Sequence, residues 1–98
     1  MKLWIDDVRP APDGYKWLRS VEEARVFIGV AADIKKQTIE LIDMDHDAGE
    51  YASDGGDYIK LLDWLEETGR NYPIRIHSMN PVGVANMRAI IKKTVGQK

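Results

Sequence analysis

The sequence predicts an α/β domain, a four-stranded parallel sheet with helices on both of its faces. Two observations carry this. Short apolar runs suited to buried strands alternate with stretches whose apolar residues recur at helical spacing. The two most apolar runs, "KLWI" and "TIELI", each stop at an aspartate, so these elements are short.

Residues 2–5, "KLWI", form the first run and read as a strand buried on both faces. "DDVRPAPDG" follows as a loop. Residues 15–19, "YKWLR", alternate aromatic and basic side chains, the pattern of an edge strand. Ser20 and Glu23 make a capping box that opens a helix with Val21, Ala24, Phe27 and Ile28 on one face, fading near Asp33. Residues 38–42, "TIELI", read as the next buried strand, ending at "DMDHD". A loop of small residues leads to the clearest helix, 57–69, with a stripe of Tyr58, Leu61, Leu62 and Leu65 and with Gly69 just past its end. Pro73 precedes a half-polar strand, "IRIHS". The chain closes with a helix capped by Asn80, with Pro81 in its first turn and Val84, Met87, Ile91 and Val95 inward. The two most apolar strands belong in the middle of the sheet and the half-polar ones outside, which gives the order 2-1-3-4 with right-handed crossovers.

A chain of 98 residues, 44% apolar and 31% charged, suits a single domain over residues 1–98. Its net charge of −2 does not call for a nucleic-acid surface or an anionic membrane. The basic residues Arg88, Lys92, Lys93 and Lys98 read as a solvated helix face. Without cysteine there is no disulfide, thiolate metal site or thiol nucleophile. Charge appears at once after "MKLWI", so neither a signal peptide nor a membrane span is expected, and a cytoplasmic location is.

The expected strand order reverses chain direction between the first and third strands. Ligands of open α/β sheets bind at carboxyl strand ends beside such a switch. Five of the ten aspartates (Asp6, Asp7, Asp43, Asp45 and Asp47) fall at those two ends, and His46 and His77, the two histidines, fall in the same zone. Asp13, Asp54 and Asp57 are accounted for by loops and helix starts. Carboxylates gathered this closely need a proton or a cation between them. A hard divalent cation, Mg²⁺ first among them, suits oxygen ligands on loop ends and would bring a phosphate with it. Asp6, Asp7, Asp45 and Asp47 are the candidate ligands. Arg9 serves as a fork for phosphate or carboxylate, or else as a salt-bridge partner of Asp7 or a plain surface residue. Ser78 and Asn80 are candidate ligand contacts, Asn80 being equally an N-cap. His46 and His77 are candidates for acid–base work on a phosphodiester, one taking a proton from water and the other giving one to the leaving oxygen. Alternation along "DMDHD" leaves the direction of His46 open. The tryptophans Trp4, Trp17 and Trp64 read as core.

The acidic pair after the first strand, the aspartate after the third and the hydroxyl after the fourth resemble a response-regulator receiver domain. That resemblance implies a flavodoxin-like, three-layer fold, with Asp45 at the phospho-acceptor position and Ser78 at the hydroxyl position. Within these 98 residues the expected elements include no fifth strand to carry the lysine of that family. "DDVRPAP", "DMDHDAG" and "IHSMNP" resemble more closely the cyclic-phosphate-processing receiver-like family, which is similar along nearly the whole chain. This implies a metal-assisted phosphoesterase acting on a cyclic phosphate of a nucleotide, RNA end or ADP-ribose derivative, with His46, His77 and Asp45 as catalytic candidates. The alternative is a signalling module, phosphorylated on Asp45 or binding a metal and a phosphorylated ligand.

Overall fold

The computed structural model describes residues 1–45, 53–77, 85 and 87–91. Its elements run β1 (Lys2–Ile5), β2 (Tyr15–Leu18), α1 (Val21–Ile28), a π-helical segment (Gly29–Ile34), β3 (Leu41–Met44), α2 (Ile59–Glu67) and β4 (Ile74–Ile76). Residues 85 and 87–91 are helical. The strands form one all-parallel sheet in the order β2-β1-β3-β4, as expected for this flavodoxin-like class. Among the described residues no helix is long and apolar enough to cross a membrane.

Local chemistry sets the helix ends. Ser20 accepts from the Glu23 amide at 3.0 Å, which satisfies one orphan donor at the start of α1, and the Glu23 carboxylate reaches back to the Arg19 amide, one residue before the cap, at 2.8 Å. At the far end of α2, Arg70 donates to the Leu65 carbonyl and Gly69 to that of Glu66. This is a Schellman closure, which needs the positive φ of +67° that Gly69 adopts without strain. Asn80, Pro81, Val84 and Val95 lie outside the described residues.

Side-chain parity divides the sheet. Leu3, Ile5, Leu18, Ile42 and Met44 point to one face and join Val21, Ala24 and Ile28 of α1, Leu61, Leu62 and Leu65 of α2, and Met87 in a single buried cluster. Both helices therefore cover the same side. Steps from β2 to β3 and from β3 to β4 cross the sheet in one direction, so right-handed connections bring α1 and α2 to a common face. The step from β1 to β2 goes the other way, but residues 6–14 make it without a helix. The face opposite carries Trp17, Trp4, Asp43 and Arg75 in one cross-strand row. The second helical layer expected there is not found among the described residues, and β1 is buried on one face while Trp4 on the other is only half-buried.

The third strand also differs from expectation. It occupies Leu41–Met44 rather than residues 38–42. Residues 38–40 run past the start of β1, where Glu40 donates to the Met1 carbonyl at 2.7 Å and the Met1 amino group to that of Thr38. Ile42 and Met44 fit the covered face, so the ladder moves toward the C-terminus and takes in Asp43. That aspartate is inside the strand, not at its tip, and Asp45 is the first residue beyond it.

A candidate acidic site at the carboxyl edge of the sheet

Each inner strand passes its register to the residues after it. The Asp6 amide donates to the Leu18 carbonyl, that of Asp45 to Ile5 and that of His77 to Met44. These bonds hold Asp6, Asp45 and His77 side by side along one edge. Carboxylate oxygens of Asp6, Asp7 and Asp45 there lie within 4.8 Å of one another. Oxygens sharing a cation at roughly 2.1–2.5 Å can be at most about 4–5 Å apart. The spacing and the all-oxygen donor set therefore fit a hard divalent ion. The expected convergence of Asp6, Asp7 and Asp45 is present; His46, Asp47, Ser78 and Asn80 lie outside the described residues.

Asp6 is 1% exposed, and its burial is matched by hydrogen bonds. Oδ1 accepts from the amides of Val8 and Arg9, both at 2.9 Å, a turn that an aspartate side chain nucleates readily. Oδ2 lies 2.8 Å from Nε2 of His77. A carboxylate has about four lone-pair positions, so roughly one remains for the cluster. Burial pushes the Asp6 carboxyl up. The Arg9 and Val8 amides, with the hydrogen bond and charge of His77, more than offset it and hold the carboxyl below the ordinary 3.8.

His77 is clamped. Its Nδ1 lies 2.6 Å from Asp43 Oδ1, its Nε2 faces Asp6, and its ring is stacked on Trp4 at 3.9 Å with 6° between planes. With both ring nitrogens engaged, proton transfer by His77 requires one of these contacts to open. Trp4 also donates from Nε1 to the Arg9 carbonyl at 2.9 Å, and Trp17 donates to that of Asp6 at 2.8 Å. The 6–9 turn is thus pinned from the open face of the sheet. Arg9 is exposed and its guanidinium donates to the His77 carbonyl at 3.4 Å.

From the sequence, Trp4 and Trp17 read as core, and Asp43 reads as one of the acids gathered at the strand end without being a candidate ligand. Parity was the available signal, because Trp4 precedes Asp6 by two residues and Asp43 precedes Asp45 by two, which puts each pair on one face. A groove of about 400 Å³ elsewhere is lined by Asp63, Glu66, Glu67, Ala89 and Ile90 on the helical side. Among the described residues it brings together only acidic and apolar groups, whereas carboxylates, an imidazole and a guanidinium meet at the sheet edge.

A parallel sheet in the order 2-1-3-4 with carboxylates gathered at the carboxyl ends of its two inner strands has the architecture of the flavodoxin-like class, to which receiver domains belong. The chain belongs to the cyclic-phosphate processing receiver domain family, whose model matches residues 1–93. No curated protein and no solved structure matches the chain.

Proposed function

We propose that this protein hydrolyses a cyclic phosphate carried by a nucleotide, an RNA end or an ADP-ribose derivative, with a divalent cation, Mg²⁺ first among them, held by Asp6, Asp7 and Asp45. The observation that carries the reading is the convergence of those three carboxylates within 4.8 Å. Family membership supports the substrate class. When bound, the cation would neutralise phosphoryl charge and make water a better nucleophile. Arg9 supplies a planar fork for phosphate oxygens, and its main chain is fixed at the amide by Asp6 and at the carbonyl by Trp4. Ring opening joins a water oxygen to phosphorus and breaks one of the two ester bonds. One proton leaves the water and one reaches the departing alkoxide. His46 and Asp45 are the groups proposed to handle them, while His77 holds Asp6. Ser78 and Asn80 stay in the proposal as phosphate contacts and Asp47 as a further ligand.

The position of Asp45 beside the acidic pair also supports a second reading, a signalling module phosphorylated on Asp45. One experiment separates the two. The protein is incubated with Mg²⁺ and a panel of 2′,3′-cyclic nucleotides, an RNA ending in a cyclic phosphate and a cyclic phosphate of ADP-ribose, followed by ³¹P NMR, and separately with acetyl phosphate, followed by intact mass. Ring opening is expected, slowed roughly 100-fold or more by Asp7→Asn and by chelation, with Arg9→Ala raising KM. A phosphoryl adduct without ring opening would favour the second reading, and neither product would overturn both.

A further inference from the structure

Asp43 stands in the middle of β3, outside the acidic cluster, and is 4% exposed. Burying a carboxylate in a sheet is costly, and a β-branched apolar residue would suit the strand better. Among the described residues its partner is Nδ1 of His77. His77 passes the contact on. With the ring plane set by Trp4 and Nδ1 anchored by Asp43, Nε2 is left one position, 2.8 Å from Asp6 Oδ2. Asp6 Oδ1 is fixed independently by two amides. The Asp6 carboxylate is therefore held at both oxygens, and one of the two holds traces back to Asp43.

We propose that Asp43, acting through His77, is a positioning residue that fixes the carboxylate of Asp6 for a divalent cation shared with Asp7 and Asp45. This rests on the reading of the acidic cluster as a cation site. Asp43 touches neither the cation nor the substrate. Residues that orient a ligand in this way change metal affinity by about 10- to 100-fold when removed.

The test measures Mg²⁺ and Mn²⁺ affinity of the full chain by titration calorimetry, with urea unfolding in parallel. Asp43→Asn keeps a hydrogen-bonding group opposite Nδ1 that can accept or donate as the tautomer requires, and its affinity is expected within about threefold of the parent, the conservative change rescuing the geometry. Asp43→Val is expected to lose about 10-fold or more. The double variant Asp43→Val, His77→Leu removes both polar partners and restores a packed interior. Its stability should recover while its affinity stays low. Recovery of both, or an Asp43→Val protein that binds as the parent does, would overturn the positioning role and leave the cation site standing. A parent protein that binds neither ion, with Asp7→Asn no different, would overturn the cation site and this inference together.

Discussion

Asp6 concentrates the chemistry of the molecule in one side chain. It is almost fully buried, accepts from two amides and a histidine, and contributes to the acidic cluster. Its carboxyl titrates below the ordinary aspartate value, so the folded state binds its proton less readily than the unfolded chain. The stability this confers is fully present above the unfolded value, near 3.8, and is lost as pH falls through the lower folded one. Asp6→Asn should therefore destabilise the protein near neutrality by roughly 1.5–3 kcal/mol and by clearly less near pH 3. Urea midpoints across that range check this, and an equal loss at both ends would contradict it.

Among the elements, the loop before α2 shows how a short segment is tied to a helix start. The Asp54 carboxylate accepts from Ser20 Oγ at 2.6 Å, and its carbonyl accepts from the Glu22 amide at 3.1 Å. Gly55 follows at φ +107°, and a Cβ there would lie 2.8 Å from Val21 Cβ and 2.9 Å from the Glu22 nitrogen. The contact is with backbone and cannot be relieved by a rotamer change. Gly55→Ala should cost about 2 kcal/mol or more. Gly69→Ala, with open space around its Cβ and strain only from its φ, should cost about 1–2 kcal/mol. Thermal or urea denaturation of the two variants checks the ranking. A Gly55→Ala protein as stable as the parent would mean the loop is not seated on α1.

The same scale shows what the sequence made readable. The Ser20–Glu23 cap, the Tyr58, Leu61, Leu62 and Leu65 stripe and the Gly69 closure are all local, fixed by residues three to five apart, and all are visible without coordinates. The start of β3 was not, because "TIELI" and "LIDM" both carry apolar side chains at strand spacing. The pairing with β1 decides between them. Asp43 was read as one more acid at a strand end, since what makes its burial tolerable is His77, 34 residues further along.

Across the whole molecule, strand order does most to create the site. Putting β1 beside β3 brings residues 6–7 next to residue 45, and β4 beyond them delivers His77. That arrangement followed from which runs were most apolar. The side on which the helices lie did not, because an amphipathic stripe states that a helix packs and not against which face. Strand order and crossover handedness together put α1 and α2 on the face of Leu3 and Ile5, leaving Trp4, Trp17 and Asp43 on the other to support the turn that carries Asp6 and Arg9.

The most direct measurement is a crystal grown with Mn²⁺ and an anomalous difference map. The expected result is one strong peak within coordination distance of Asp6, Asp7 and Asp45. A well-ordered site with no peak there, or a peak held by other residues, would contradict the account.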